Sequence, residues 1–574
     1  MLRNFAATLL LAGMAFAADQ RWSHMASDNV KWMRVTEAGG FVYGTDAGLY
    51  SVDAETGKKV WSREDLKKIQ EFNVEEAEGT PLLFVSDNTG VIKTKSRLVA
   101  IDMLTGTSAW ETDKLPGSIV DLVTVNSKSM VLIVTIPQNA GKSALAVSAF
   151  DIVSGKLLWE GEIADKADLF IAEKSGKFSP KFDLSGHAPP TITADSVYFA
   201  YAGVHKFDLA TGKLIWKSAY DVTEKHYRHA NASPVVRGGV VYTSAKGQMR
   251  AFDDASGALK WTSADFGAGV ADMQFQEGVL YGRMGGTFYQ MDAKAYELKK
   301  PLGVVALDAS SGQVKWRYEG AKDSITNMVV LKDPGVVMVA DAKYLVGLSM
   351  DASGNKVKES FRVPLEFKHK TSAGTKAMKI GFGAMRGGAI GATKGAMSGP
   401  GEPPLVVVER PNGLLVVRAN QHLLGFDPKK REIAWSTQIA PPGASMLVKI
   451  ATSAAFAMLY AAQTQQAMST NLGTSENNAA NRNRSDIMGS WTKVMEKRYT
   501  KSNASDAYAY MLTDIKGDEG KGAGIVGINM NNGEVERRLL FKDKEPEYVI
   551  DEVEGIVYKT HKNGKEIIAM DVAR

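Results

Sequence analysis

The stretch VVALDASSGQVKW, Val304 to Trp316, recurs along the chain in nearly the same form. Each copy has an alternating apolar run, an Asp, a Gly four residues later and a Trp four residues after the Gly. Six copies keep this spacing in full: Asp53–Gly57–Trp61, Asp102–Gly106–Trp110, Asp151–Gly155–Trp159, Asp208–Gly212–Trp216, Asp253–Gly257–Trp261 and Asp308–Gly312–Trp316. Seven of the ten Trp residues occupy the last position of the motif, so the copies are repeats of one structural unit.

Four further copies are degenerate, which brings the count to ten units. They are centred on Asp351, which lacks the Trp; on Asp427, which keeps Trp435 but has Arg431 in place of Gly; on Asn529, followed by Gly533; and on Asp571.

Each unit predicts four short β-strands. Apolar and polar residues alternate before the Asp, which is the period of a half-buried strand, and Asp-x-x-Ser/Thr-Gly is typical of a tight turn. Upstream of Asp253, the segments Pro234–Val236 and Val240–Ser244 predict two more strands, giving three strands before the Asp and one after it. A four-stranded sheet cannot bury both of its faces alone, so the sheets are predicted to stack radially as the blades of a β-propeller. The Trp then packs as a wedge between one blade and the next.

The all-β fold predicted here is a single propeller over residues 18–574. Ten units predict ten blades, with eight as the alternative if the weakest copies are not blades. The last segment, KEIIAMDVAR (565–574), supplies only a third strand, and RWSHM (21–25) can supply the missing fourth. Closing the ring in this way would remove the exposed sheet edges.

Bulk properties indicate an exported protein. Residues 1–17 resemble a cleaved signal peptide, with Arg3 before a short apolar run and Ala-Phe-Ala at the end. Met14 stands where a lipoprotein would have its lipidated Cys, so we expect a periplasmic or secreted protein without a lipid anchor. The chain has no Cys, which excludes thiol catalysis and disulfides. A net charge of +5 over 574 residues gives no indication of nucleic-acid binding.

The repeat, ALDxxTGxxxW preceded by SPVV…VVY, closely resembles the pyrroloquinoline-quinone-type (PQQ-like) propeller repeat. The resemblance extends over about residues 21–574 outside two insertions, and it implies a propeller that usually has eight blades. Family members include quinoprotein dehydrogenases, which bind PQQ and Ca²⁺ on the axis, and BamB-type propellers, which are non-enzymatic interaction platforms. None of the dehydrogenases' catalytic residues can be matched to a position of this sequence.

Two segments interrupt the repeat. Residues 364–404 are rich in Gly, Ala and Met and carry six basic residues, which predicts a flexible loop that could contact an anionic surface or an acidic partner. Residues 441–504 begin with apolar residues at helical spacing and predict a helical hairpin. Its apolar stretch of 17 residues includes Lys449, so we do not expect a membrane span. The hairpin either packs on the propeller or serves as an interaction arm.

Two histidines are the candidate axial ligands. His187 and His229 lie shortly before the predicted first strands of adjacent units, so both loops could approach the ring axis on one face. Surface histidines show the same pattern, and no third ligand is evident, so no metal is predicted. The repeat Asp residues recur at the same turn in every unit, which indicates a structural role rather than a catalytic one.

The sequence therefore favours an exported, non-catalytic propeller that acts as a binding or scaffold protein for other proteins of the cell envelope. No cofactor is favoured. The alternatives are a PQQ- and Ca²⁺-dependent quinoprotein dehydrogenase and a glycan-binding propeller. The sequence does not fix the oligomeric state.

Overall fold

The structure is a computed structural model, and the residues it describes are those of the repeat units. The predicted signal peptide and most of both insertions lie outside them. The described residues are 20–36, 38–77, 79–89, 95–137, 145–164, 169–171, 180–182, 184, 186–222, 226–290, 295–352, 354, 357, 359–367, 402–440, 508–517, 520–541, 547–561 and 564–572.

The first half of the chain forms five antiparallel sheets in sequence order. After β1 (Gln20–Met25), these are sheet 1, β2 (Val30–Val35), β3 (Phe41–Thr45), β4 (Leu49–Val52) and β5 (Lys59–Arg63); sheet 2, β6 (Val74–Glu76), β7 (Leu82–Thr89), β8 (Lys95–Asp102) and β9 (Ser108–Leu115); sheet 3, β10 (Gly117–Val125), β11 (Met130–Pro137), β12 (Leu145–Asp151) and β13 (Leu157–Ala164); a hairpin of β14 (Leu169–Ile171) and β15 (Pro180–Phe182); sheet 4, β16 (Ala188–Ile192), β17 (Ser196–Ala200), β18 (Gly203–Asp208) and β19 (Leu214–Ala219); the short strand β20 (Tyr227–Arg228); and sheet 5, β21 (Val235–Arg237), β22 (Val240–Ala245), β23 (Gln248–Asp253) and β24 (Leu259–Thr262).

The second half forms five more sheets, and single 3₁₀ turns occur at Glu71–Asn73 and Asn126–Lys128. The sheets are sheet 6, β25 (Val270–Gln276), β26 (Val279–Gln290), β27 (Ala295–Asp308) and β28 (Val314–Tyr318), joined by β20; sheet 7, β29 (Val329–Leu331), β30 (Val336–Ala340), β31 (Tyr344–Ser349) and β32 (Glu359–Pro364); sheet 8, β33 (Val406–Glu409), β34 (Leu415–Arg418), β35 (His422–Asp427) and β36 (Glu432–Gln438); sheet 9, β37 (Tyr508–Gly517), β38 (Gly520–Asn529) and β39 (Val535–Leu540); and sheet 10, β40 (Tyr548–Asp551), β41 (Ile556–Thr560), β42 (Glu566–Asp571) and β1.

The ten sheets form a ring with the first strand innermost. In sheet 9 the described strands β37, β38 and β39 take the second to fourth places, because the repeat turn at Asn529–Gly533 joins β38 to β39. First strands of successive sheets lie against one another, as β10 does with β16 and β29 with β33. Middle strands such as β17 and β30 are fully buried, whereas a fourth strand such as β19 exposes most of its residues and buries the Trp. We call the ring of first strands the axial wall.

Apolar side chains from neighbouring sheets pack into shared clusters, and these clusters hold the ring together. One cluster joins Leu132 and Val147 of sheet 3 to Phe199 and Phe207 of sheet 4, and all four side chains are at most 1% exposed. Because a twisted sheet with two apolar faces cannot be stable in water by itself, each blade depends on both of its neighbours.

The predicted propeller and its ten blades are confirmed. The predicted closure is confirmed as well, because β1 pairs antiparallel with β42 and Arg21 forms an ion pair of 2.6 Å with Asp571. Sheet 6 gains a fifth strand, and sheet 9 has three strands within the described ranges. The predicted helical hairpin at 441–504 lies outside those ranges. In the part of the chain that is described, no helix is long and apolar enough to span a membrane.

Candidate functional site

The repeated Asp residues build the turns between third and fourth strands. In each of seven turns the Asp Oδ1 atom accepts a hydrogen bond of 2.8–3.2 Å from the backbone N–H three residues later; the acceptors are Asp53, Asp102, Asp151, Asp208, Asp253, Asp308 and Asp427. The hydroxyl and the backbone N–H of Thr211 hold the pKa of Asp208 below its usual value, so this carboxylate stays ionised in its turn. These carboxylates are therefore engaged in the hydrogen bonds of the turns, and their role is structural.

The repeated Trp residues lie between one sheet and the next. The indole of Trp216 packs on Gly257, where the backbone has φ of +72° and a Cβ would lie 2.6 Å from the ring. Six indoles donate to a backbone carbonyl of the next sheet at 2.8–3.1 Å; they belong to Trp22, Trp61, Trp110, Trp159, Trp216 and Trp261. Trp22 on β1 makes this contact across the closure. Sequence reasoning did not find it, because no repeat Asp precedes it.

The two faces of the ring differ in their connections. One face, which we call the turn face, carries the connections from first to second and from third to fourth strands. These are between two and nine residues long. The other face, which we call the insertion face, carries the connections from second to third strands and the connections between sheets. Both long insertions, 365–405 and 439–507, leave from this face, as do β14–β15 and β20.

Polar side chains link successive first strands of the axial wall. The Arg34 guanidinium on β2 donates to the Val74 carbonyl of β6 at 2.6 Å. Farther round the ring, the Gln274 amide donates to the Met328 carbonyl at 2.8 Å. The Asn327 amide both donates to and accepts from the backbone of Val407 at 2.9 Å. These bonds satisfy backbone groups that the first strands cannot pair within their own sheets.

Four titratable groups on or beside the first strands of sheets 2 to 5 interact along the axial wall. We call Glu75, Asp121, His187 and His229 the axial cluster. His187 Nε2 lies 3.2 Å from the Asp121 carboxylate, and the two side chains are 11% and 19% exposed. The structure thus brings both predicted histidines into one electrostatic group. Sequence reasoning missed the two carboxylates, because the first strands carry no motif that marks them.

Two members of the axial cluster have strongly shifted pKa values. Burial, followed by the negative charge of Asp121, raises the pKa of Glu75 to about 7, although Arg34 acts in the opposite direction. Burial, followed by the positive charge of Arg228 and the proximity of His187, lowers the pKa of His229 to about 4. At neutral pH, Glu75 is therefore partly protonated, while His229 is a neutral imidazole.

A long hairpin arm, residues 286–290 of β26 and 295–299 of β27, holds the segment that carries His229. The arm pairs with β20, its Glu297 accepts a hydrogen bond from the Tyr227 hydroxyl, and the Lys299 ammonium lies 4.1 Å from the Tyr227 ring centre. The arm bends at Gly285, where a Cβ would lie 2.3 Å from the Pro301 carbonyl oxygen. The axial cluster is therefore positioned by rigid neighbours.

The axial cluster does not form a metal site. Within the described ranges, no group of three or more His, Asp or Glu side chains could hold a metal ion. The quinoprotein dehydrogenase alternative is tested by titrating the protein with PQQ and Ca²⁺.

Several solved propeller structures are similar to this chain. BamB from Moraxella catarrhalis is 14% identical, with 71% of this chain and 97% of that chain covered and a TM-score of 0.35. The computationally designed Ika8 protein is 12% identical, with 73% and 100% covered and a TM-score of 0.33. The dihydro-heme d1 dehydrogenase NirN is 11% identical, with 59% and 66% covered and a TM-score of 0.34. No curated protein sequence matches the chain significantly.

A family model gives the assignment. The model described as outer membrane protein assembly factor BamB matches residues 15–169 and 171–351, which together are more than half of the chain. The matched part contains the six complete repeats and the axial cluster. The chain therefore belongs to the PQQ-like propeller family that this model describes.

Proposed function

We propose that the protein is a non-catalytic scaffold of the cell envelope that binds a partner protein on its insertion face. The observation that carries this proposal is the difference between the two faces. The turn face repeats one short turn, whereas the insertion face carries the segments that distinguish one blade from another. Binding surfaces are commonly built from such loops on a rigid scaffold.

The chemistry at the insertion face suits recognition better than catalysis. The axial cluster combines a carboxylate–imidazole pair with a neutral imidazole, and the hairpin arm beside it presents charged side chains such as Lys299 and Glu297. Such groups form hydrogen bonds and ion pairs with a partner's polar side chains, which favours specificity at a wet protein interface.

Family membership supports a protein as the partner. The family model carries the description of an assembly factor for outer membrane proteins. An assembly factor acts on or together with other proteins, so we propose a protein component of the cell envelope as the partner. Export through the predicted signal peptide at residues 1–17 would bring the chain to that compartment.

Photo-cross-linking in cells tests the proposal. A photoreactive amino acid is placed on the insertion face at Lys300 or Lys343, both exposed, and on the turn face, away from sheets 3 and 4, at the exposed positions Ala255 or Ser310. We expect the two insertion-face positions to give the same discrete cross-linked protein. The turn-face positions have small exposed side chains, so they serve as controls for accessibility.

Two results would contradict the proposal. Equal cross-linking from both faces would remove the distinction between them. An absence of any cross-linked protein from Lys300 and Lys343, in cells where all four variants accumulate to the wild-type level, would argue against a partner on the insertion face.

A further inference from the structure

One interface between sheets differs from the others at the position two residues after the repeat Trp. At four other interfaces the side chain at this position hydrogen-bonds the carbonyl of the repeat Gly in the next sheet; across the closure, His24 Nδ1 lies 3.0 Å from the Gly57 carbonyl. Arg63 bonds Gly106 at 3.3 Å, the Ser218 hydroxyl bonds Gly257 at 2.5 Å, and Thr437 bonds Gly533. These side chains fill the gap between the fourth strand of one sheet and the turn of the next.

Sheet 3 has Gly161 at this position, so no side chain fills the gap towards sheet 4. A Cβ at residue 161 would lie 3.6 Å from the Gly212 carbonyl oxygen and 2.8 Å from a ring carbon of Phe207. The Phe207 ring takes part of the space beside Gly161, and a cavity of about 210 Å³ remains between the two sheets. Its apolar lining comes from Ile163, Phe207 and Leu214, and its polar lining comes from Glu162, His205 and Lys217.

The two fourth strands beside the cavity also carry exposed apolar side chains. Among the described residues, the fourth strands of sheets 3 and 4 are the ones that each expose two large apolar side chains. These are Leu157 and Leu158 at 42% and 43%, and Leu214 and Ile215 at 37% and 45%. An apolar surface around a cavity with polar groups is typical of a protein docking site.

We propose that this gap is a docking pocket for an aromatic side chain of a partner polypeptide, and that the aromatic ring carries a hydrogen-bond donor. A cavity of roughly 150 Å³ accommodates a benzene ring, so about 210 Å³ suits a phenol or an indole. The donor would replace the hydroxyl or guanidinium that bonds the repeat Gly carbonyl at the other interfaces. Tyrosine and tryptophan combine both properties, and they are frequent anchors of protein interfaces.

This pocket is independent of the function proposed for the insertion face. Gly212 belongs to a turn between third and fourth strands, so the pocket opens at the rim beside the turn face. The evidence for the pocket does not depend on binding at the insertion face, and the reverse also holds. The pocket is tested with small probes and no partner protein.

The test measures binding of three blocked amino acids to the purified full-length mature protein by ligand-observed NMR. The probes are the N-acetyl amides of tryptophan, phenylalanine and leucine. We expect the tryptophan probe to bind with a Kd of about 0.1–1 mM, the phenylalanine probe several-fold more weakly because it lacks a side-chain donor, and the leucine probe not measurably.

Two variants and a matched control locate the binding. Gly161→Ser restores the missing side chain and is expected to abolish binding of the tryptophan probe. Leu214→Ser at the exposed mouth is expected to weaken it at least three-fold without disturbing the fold. Leu259→Ser changes the equivalent residue one sheet later, where Ser218 fills the gap, and is expected to have no effect.

The proposal is overturned if the wild-type protein binds none of the probes, or if the leucine probe binds as tightly as the tryptophan probe. It is also overturned if Leu214→Ser and Leu259→Ser weaken binding equally. If Gly161→Ser lowers the melting temperature because Phe207 must move, the comparison of the two leucine variants decides.

Discussion

The turn face and the insertion face of this propeller are built from the same strands, but they differ in how regularly their contacts recur from sheet to sheet. At the turn face, the same Asp, Gly and Trp contacts recur from sheet to sheet. At the insertion face, the histidines of the axial cluster and the hairpin arm occur within a few sheets of the ring. The comparison teaches that repetition marks the residues that close the ring, whereas departures from repetition mark candidate binding sites.

The largest expected effect comes from a repeat Trp. Replacing Trp261 by Ala removes a buried indole that packs on Gly312 and donates to the Ala309 carbonyl at 3.0 Å. We expect the free energy of unfolding to fall by about 3–5 kcal/mol, the usual range for deleting a buried aromatic side chain. Urea unfolding measures the loss.

Leu259→Ala is the matched control for this substitution. Leu259 lies on the same strand as Trp261 but is 56% exposed, so its replacement is expected to change the free energy of unfolding by less than about 0.5 kcal/mol. A Trp261→Ala protein as stable as the control would show that the repeated Trp does not hold the blades together.

The next effect concerns glycines of the turn face. Gly257 has φ of +72° and the Trp216 ring lies 2.6 Å from where a Cβ would be, so Gly257→Ala combines backbone strain with a clash. We expect a loss of about 2–4 kcal/mol. Gly238 has φ of +57° but no neighbour within 4 Å, and Gly238→Ala is expected to cost only about 1 kcal/mol. Thermal unfolding compares the two, and equal losses would mean that packing of the Trp on the glycine contributes nothing.

A smaller, pH-dependent effect is expected at the axial wall. The folded protein raises the pKa of Glu75 to about 7 from an ordinary value near 4.5, so the folded state binds more protons between these pH values. The contribution of Glu75 to stability is therefore lost as the pH rises from about 4.5 to 7. Glu75→Gln removes this loss, on the order of 1–3 kcal/mol, and the variant gains stability relative to wild type as the pH increases.

Unfolding measured in denaturant from pH 4.5 to 8 checks the Glu75 prediction. The contribution of His229 to stability has the opposite pH dependence. Its pKa is lowered to about 4 in the folded protein, so its contribution is lost as the pH falls below about 6.5. The wild-type protein and the Glu75→Gln variant share the contribution of His229. The difference between their profiles of stability against pH therefore isolates the effect of Glu75. Parallel profiles would contradict the assigned environment of this carboxyl.

The sequence predicted the ring well because its repeats carry local information. The Asp–Gly–Trp spacing encodes a turn and a wedge that neighbouring residues build, so the strand order and the ten blades could be read directly. The closure was also predictable, because the last segment lacked a fourth strand and residues 21–25 could supply one.

The site was less predictable because its residues come from different blades. His187 and His229 attracted attention as histidines, but their neighbours Glu75 and Asp121 lie on first strands whose sequences vary. Gly161 did leave a signal, since it breaks the pattern of the residue two positions after the Trp. A glycine at residue 161 can be interpreted only when the structure shows that the Gly212 carbonyl lies opposite it.

The smallest expected effect comes from the first long insertion. The Phe367 carbonyl accepts a hydrogen bond of 3.0 Å from the Glu402 N–H, and the His422 ring stacks on Phe367 while its Nδ1 atom lies 2.7 Å from the Glu402 carboxylate. The ends of the segment are thus joined at the propeller. Replacing residues 368–401 by a short Gly-Ser linker is expected to change the free energy of unfolding by about 1 kcal/mol or less, towards higher stability. A large loss in a chemical unfolding experiment would contradict this.

The most direct test of the account measures stability and partner cross-linking on the same two variants. One is Gly257→Ala on the turn face. The other replaces residues 287–298 of the hairpin arm by Asn-Gly, which joins the paired residues Gly286 and Lys299. We predict that Gly257→Ala lowers the free energy of unfolding and keeps the cross-link from Lys343, whereas the shortened arm keeps the stability of the ring and loses the cross-link. Loss of both properties together in either variant would contradict the separation of the two faces.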